Sequence, residues 1–346
     1  MTTSAEKSDQ KLKFETDKEI GPVLIIGGMH RSGTSFVSSM LKEAGLHVGE
    51  RLSPGEEGNT KGFFENTDFV HLHARILKHF GFNAWSLEKF ETLPDEQVKL
   101  VHDAVEANAQ PGPWGWKDPR TTLFLEFWLK VFPDAKFLFV YRAPWEVVDS
   151  LFRRGDKAFQ DDPILALKVW EHYNQLSLDF YNAHRERCLL AHVDAVTDDP
   201  KPLVLALNER FSLNLTVPQT STFDESMLVR DKKKSGRPAL IRACFPRAYK
   251  LWLTLEEQAD LKRKGAQQDS VAETVATETS PEFAEQVFTD WMEMRKAQLE
   301  VKRMDKTLEA VRKDLEQSNE HINWIEQSRV WKIRGKLNAI RELLTK

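Results

Sequence analysis

Three features of the chain predict an α/β fold with three α/β/α layers around a central parallel sheet. Pro22–Gly28 is an apolar run too short for a helix and rich in β-branched residues, and it leads through a glycine loop into a helical pattern. Lys136–Tyr141 is a second such run, followed at Pro144 by a residue suited to the first turn of a helix. Cys188–Val193 is a third short strand, with a helical stretch soon after it. Strands alternating with helices need crossover connections, and these give parallel strands covered on both faces.

The elements follow in order. Residues 1–19 are polar and charged and read as a disordered N-terminus, so the main domain spans 20–264. After the first strand, Ser35–Gly45 carries Phe36, Met40, Leu41 and Ala44 at helical spacing and is closed by a glycine. Helices are predicted over Thr67–Phe80, Pro94–Ala109 and Thr122–Phe132, with a Pro111-Gly112-Pro113 loop between the second and third. The second strand precedes a helix through Trp145–Arg153, and Asp162-Pro163 opens another that runs to about Arg187. Pro200–Phe211 is predicted as a helix after the third strand. Residues 265–281 are small, polar and aperiodic, which marks a linker. Over 282–346 the pattern changes. Met294, Ala297, Val301, Met304, Leu308, Val311, Leu315, Ser318, Ile322 and Ile325 alternate steps of three and four, as in a coiled coil. Arg329, Lys332, Arg334, Lys336 and Arg341 make the last stretch a basic amphipathic tail.

Bulk properties exclude several classes. With 346 residues the chain has room for one large α/β domain and an appendage. A net charge of −4 does not call for nucleic acid as a partner. Cys188 and Cys244 form neither a disulfide framework nor a zinc cluster, so a reducing compartment is expected. The N-terminus lacks the apolar core of a signal peptide, and no run nears the ~18 apolar residues of a membrane span. A cytoplasmic protein is expected, with the basic tail as a means of reaching the inner face of a membrane.

The strongest chemical signal is Gly28-Met29-His30-Arg31-Ser32-Gly33-Thr34-Ser35, between the first strand and the first helix. Glycines allow a tight turn in which several N–H groups face one anion, and the helix start adds partial positive charge. An ATP-binding P-loop carries lysine where this chain has Thr34, which argues against a kinase. Arg31 supplies a cation instead, and its fork suits an oxyanion. The loop is therefore P-loop-like but aimed at a different anion. Arg142 closes the second strand, where open α/β sheets bind ligands, and pairing with Glu146 is its alternative role.

These segments resemble the sulfotransferases that use 3'-phosphoadenosine-5'-phosphosulfate (PAPS). Arg31-Ser32-Gly33-Thr34-Ser35 fits the family's [KR]-x-G-T-[ST] loop. The resemblance implies that Arg31, Ser32, Gly33, Thr34 and Ser35 hold the 5'-phosphosulfate. It also implies that Arg142 and Ser150, eight residues apart, grip the 3'-phosphate. PAPS is then the co-substrate, 3',5'-ADP the product, and no metal is expected. His192–Val196 with Asp198-Asp199-Pro200 is a weaker match, in which Asp194 reads as structural. Arg230 and Lys232–Lys234 read as a solvated charge run.

Sulfuryl transfer needs a base, charge stabilisation on the moving group, and a donor to the leaving oxygen. Glu65, in Gly62-Phe63-Phe64-Glu65, is the base candidate, because bacterial family members resembling this chain carry G-[YF]-x-E there. Its aromatic neighbours are expected to desolvate it and raise its pKa. His30 is the rival, or else a donor to sulfate oxygen. Lys117, in Lys117-Asp118-Pro119-Arg120, resembles a K-D-P element of the family and implies a contact to the bridging oxygen. Arg120 is expected to bind the acceptor or to hold Glu65, and His71 and His73 to pack.

The predicted function is transfer of a sulfuryl group from PAPS to a hydroxyl on a carbohydrate or glycolipid. The acceptor rests on the Trp324…Trp331-Lys332 tail, which resembles the C-termini of bacterial glycosyltransferases that build surface polysaccharides. A P-loop small-molecule kinase and a non-catalytic coiled-coil scaffold are the alternatives. Homo-oligomers or a partner protein are expected to assemble through the coiled coil.

Overall fold

The computed structural model describes residues 19–54, 64–93, 95–218, 236–265 and 280–345. The expectations for residues 1–18, for Phe63, for Arg230 and Lys232–Lys234, and for most of the 265–281 linker fall outside them.

Four parallel strands form the centre: β1 (Val23–Gly27), β2 (Trp114–Lys117), β3 (Lys136–Tyr141) and β4 (Cys188–His192), in the order β2-β1-β3-β4. Their side chains alternate between two cores. Val23, Ile25, Phe137, Phe139, Cys188 and Leu190 face one side, while Leu24, Ile26, Leu138, Val140, Leu189 and Ala191 face the other. The first core is filled by α2 (Thr67–His79), α3 (Asp95–Asn108), α4 (Leu125–Val131), α5 (Pro144–Arg154), α6 (Lys157–Asp161) and α7 (Leu165–Ala183). The second is filled by α1 (Thr34–Glu43), α8 (Val193–Asp198) and α9 (Lys201–Phe211). A sheet apolar on both faces cannot stand in water, so the three-layer arrangement follows from this alternation.

Several elements differ from expectation. The strand β2 was not foreseen. The helix predicted over Thr122–Phe132 is a 3-10 turn over Pro119–Phe124 followed by α4. Asp118 caps that turn by accepting the Arg120 N–H, Pro119 fits its first position, and the non-helical φ of −127° at Phe124 separates the two pieces. The helix expected to reach Arg187 ends at Ala183, where His184 leaves helical geometry with φ −134°, and a 3-10 turn covers Arg185–Arg187.

Beyond α9 come α10 (Arg237–Cys244), α11 (Pro246–Gln258), the long α12 (Pro281–Gln327) and α13 (Arg329–Leu344). Ser328 ends the long helix in extended geometry, and its side chain caps the next by accepting the Trp331 N–H. Two compact units result, Met1–Met292 and Glu293–Lys346. The first turns of α12 thus belong to the first unit, where Phe288 and Trp291 are buried against Phe152 and Phe245. None of the described helices is long and apolar enough to cross a membrane.

Candidate active site

The sheet order changes direction beside β1, since β2 lies on one side of it and β3 on the other. Ligands of open α/β sheets sit at the carboxyl ends of strands at such a point. The predicted residues emerge there: the 28–35 loop after β1, Lys117 at the end of β2, and Arg142 after β3.

The loop is shaped by backbone geometry that few residues tolerate. Gly28 has φ 133°, and a Cβ there would lie 2.3 Å from the carbonyl oxygen of Val140. Its N–H donates to Thr122 Oγ1 at 3.0 Å. Arg31 itself has φ 67°, a strained value for a residue with a side chain. Gly33, at φ 90°, precedes α1, which has no side-chain cap and no acidic residue in its first turn. The positive end of this ten-residue helix thus meets no side-chain cap and no first-turn carboxylate, which suits an external anion. Ser32 is buried, and its Oγ has no hydrogen-bond partner among the described residues.

Arg31 does not turn inward to the loop. Its Nε donates to Ser150 Oγ at 2.9 Å, and its carbonyl accepts from Arg142 Nη1 at 3.4 Å. The loop arginine and the two residues assigned to the 3'-phosphate therefore form one cluster. Arg142 also pairs with Glu146 at 2.8 Å, so its alternative role holds at the same time. Burial, and after it the charges of Arg154, Arg153 and Arg142, pull the pKa of Arg31 down to about 10. Among the described residues no carboxylate lies within ion-pair distance of Arg31. Arginine crowded by arginines and short of a carboxylate is the mark of a site that receives an anion.

A second cluster faces it. Lys117 is fully buried, and its register opposite Ile26 puts it on the α1 side of the sheet. Its Nζ donates to Ser35 Oγ at 3.1 Å and to Glu65 Oε1 at 2.9 Å. Burial lowers the lysine's pKa, against the opposing charge of Glu65. Arg120 Nη2 stands 3.7 Å from Glu65 Oε2. So Glu65 is held by two cations, and of its two expected aromatic neighbours only Phe64 is described. Phe64 has φ 49°, a strained turn immediately before the carboxylate. Ser53 donates its N–H to the Glu65 carbonyl at 2.8 Å, and buried Asn66 then caps α2.

Behind the pair runs a buried relay that the sequence did not disclose. Asp118 receives Arg120 Nε on Oδ1 at 2.9 Å and His73 on Oδ2 at 2.8 Å. Trp128 Nε1 donates to His73 Nε2 at 2.9 Å, so His73 carries its proton on Nδ1 and donates to Asp118. Burial pushes Asp118 up, but Arg120 and His73 outweigh it and hold the carboxyl well below the usual range. The helix spacing of His73 suggested packing only. In the structure it orients Asp118, which in turn fixes Arg120 beside Glu65.

Burial keeps His73 neutral by lowering its pKa from 6.5. Unfolding then takes up a proton once the pH falls below 6.5, so stability decreases as the pH drops through that value toward the lowered folded one. His73→Gln is expected to flatten this dependence by up to ~1.4 kcal/mol per pH unit. Urea unfolding at several pH values checks it, and equal slopes for variant and wild type would refute it.

His30, the rival base, has no hydrogen bond to Glu65 but feels the charges of Arg120, Asp118 and Lys117. Its ring sits edge-on to Trp85 at 4.9 Å and to Tyr173 at 6.1 Å, and its buried Nε2 has no hydrogen-bond partner among the described residues. Burial, followed by the charge of Arg120, holds its pKa well below 6.5. The structure thus brings Ser35, Glu65, Lys117 and Arg120 together, and Arg31, Arg142 and Ser150 together. Asp194 starts α8 after β4, where His192 Nδ1 accepts its N–H at 3.0 Å.

Comparison with known proteins places the chain in a family. A sequence model of the sulfotransferase family matches residues 22–215. No curated protein sequence matches the chain. Among solved structures, it is similar to a sulfotransferase from Mycobacterium avium, with 15% identity, 80% of this chain and 78% of that one covered, and a TM-score of 0.40. The sulfotransferase domain of the Synechococcus PCC 7002 olefin synthase gives 18% identity, 82% and 98% coverage, and 0.37. A sulfotransferase from Mycobacterium tuberculosis H37Rv gives 16%, 60% and 71%, and 0.36. Since the family match takes in more than half of the chain, from β1 through α9, this protein belongs to the sulfotransferase family.

Proposed function

We propose that the protein transfers a sulfuryl group from PAPS to an acceptor hydroxyl, with Glu65 as general base. The observation that carries this reading is Arg31, which lacks a carboxylate partner among the described residues and joins Arg142, after β3, to Ser150 on α5. Two anion-seeking centres, this one and the uncapped start of α1 with Ser32, fit a nucleotide bearing two separate phosphate positions. PAPS, when bound, supplies the activated sulfuryl group.

The chain's own residues then have distinct tasks. Arg31, Arg142 and Ser150 hold the 3'-phosphate, and the N–H groups at Gly33–Ser35 hold the 5' end. Glu65 Oε1 is engaged by Lys117, but a carboxylate has several lone pairs and can still accept the acceptor's proton. As the acceptor oxygen bonds to sulfur, that proton passes to Glu65. Lys117, with three N–H donors and two partners, has one left for the oxygen from which sulfur departs. Negative charge growing on that oxygen is thereby met by a buried cation, where electrostatic stabilisation is strongest. Arg120 keeps Glu65 oriented.

His30 supports a second reading, in which its unpartnered Nε2 takes the proton. His30→Asn and Glu65→Gln separate the two, since the true base is the one whose loss lowers kcat while 3',5'-ADP still binds. We further propose a carbohydrate or glycolipid acceptor at the inner face of the membrane. The resemblance of the tail to glycosyltransferase C-termini supports it, and sulfate transfer to a panel of glycans tests it.

Titration calorimetry with 3',5'-ADP tests the donor. Arg142→Ala is expected to raise its Kd about 10- to 150-fold, the equivalent of one charge-assisted hydrogen bond, and to leave the Kd of 5'-AMP unchanged. Equal weakening of both nucleotides would remove Arg142 from the 3'-phosphate site.

A further inference from the structure

The apolar stripe of α12 beyond Met292 is left exposed by the described residues of its own chain. Leu308 is 49 % and Ile322 51 % exposed, and Val301 and Leu315 are similarly open. Such a stripe in a long helix demands a cover. We infer that the cover is the same helix of a second copy, running antiparallel, with residues 294–325 of the two chains overlapping in full.

The direction follows from size and charge. In a parallel, in-register pair each residue of the stripe meets itself. Ala297 would face Ala297 and Ser318 would face Ser318, leaving two underpacked layers. Antiparallel pairing across the midpoint sets Leu308 against Val311, Ala297 against Ile322, and Ser318 against Val301. Every layer then holds at least one large side chain.

The flanking positions discriminate more sharply. In the parallel register Glu300 of one copy lies beside Asp305 of the other, a like-charge pair that occurs twice. In the antiparallel register Asp305 lies beside Arg312, Gln298 beside Asn319, and Glu300 beside His321, each pair also occurring twice. None of these flanking contacts is repulsive. One helix thus presents self-complementary charge only when its copy is reversed, as a two-fold interface requires.

Sedimentation of the full chain tests the inference through Asp305→Arg. An antiparallel dimer weakens roughly tenfold, because two attractive contacts become repulsive, and Arg312→Asp in the same chain restores it. A dimer tightened by Asp305→Arg would show the parallel register and overturn the inference, since the introduced guanidinium would then meet Glu300. A wild-type chain that stays monomeric at every concentration, or forms a larger assembly, also overturns it. Cysteine crosslinking gives an independent check against a control with only the native Cys188 and Cys244. Mixed Ala297→Cys and Ile322→Cys chains are expected to form a disulfide, and Ala297→Cys alone is not. Self-crosslinking of Ala297→Cys refutes the antiparallel alignment.

Discussion

Glu65→Gln is expected to lower kcat roughly 100- to 10,000-fold, the range typical of a lost general base, with the Kd for 3',5'-ADP unchanged. Glutamine keeps the shape and one acceptor oxygen but cannot take the proton. The substitution also removes the charge that holds Lys117 protonated against its burial. The donor to the leaving oxygen is weakened along with the base, so the two losses are coupled rather than additive. Glu65→Asp, which retains the charge but withdraws it from Lys117, is expected to fall between the two. Steady-state kinetics with PAPS decide the matter. An unchanged kcat for Glu65→Gln would transfer the role to another group, and His30 is the one placed to take it.

The second large effect concerns the start of α12. Ala284, Phe288, Trp291 and Met292 are buried in the first compact unit. Phe288 is fully enclosed, with its ring 4.7 Å from Phe245 and 6.2 Å from Phe152. Trp291 Nε1 donates to Asp149 Oδ1 at 3.1 Å, and Arg237 pairs with that same carboxylate. Asp149 precedes Ser150 on α5, so this helix start buttresses the side of the site where Arg31 meets Ser150. Phe288→Ala is expected to cost about 3–5 kcal/mol, a large part of the roughly 5–15 kcal/mol that stabilises a typical domain. A chain ending at Gly265 loses all four side chains and is expected not to fold. One ending at Lys296 keeps them and retains 3',5'-ADP binding. Circular dichroism and calorimetry on the two truncations decide it, and a folded, nucleotide-binding chain ending at Gly265 would refute the claim.

The legible and illegible parts of this protein divide along physical lines. β1, β3 and β4 were readable because a strand buried on both faces must be apolar throughout, and local sequence shows that. β2 escaped because it has four residues, one of them a buried lysine and another Gly115. A Cβ on Gly115 would sit 1.7 Å from the carbonyl of Leu24, a constraint set by a neighbour distant in sequence. Glu65, Lys117 and Ser35 were individually legible from motif context, but their convergence was not. Nor was the step from His73 to Asp118, 45 residues away, since a lone histidine on a helix face carries no sign of its partner. The position of Arg31 shows the same limit, because its strained backbone sends the side chain to a serine 119 residues on. The boundary of the long helix was hidden as well. Stepped back from Met294, the three-four alternation passes through Asp290 and Val287, so Trp291 and Phe288 lie off the stripe, and only the structure shows that they are buried.

The bond between Trp291 and Asp149 spans 142 residues, and this has a bearing on biosynthesis. At about 5–20 residues per second, a ribosome that has just added Asp149 needs roughly 7–28 s to reach the tryptophan. For nearly all of that interval the nascent chain contains Phe152 yet lacks the Phe288 and Trp291 rings that pack on it. A chaperone that shields apolar surface would find its longest opportunity in that window.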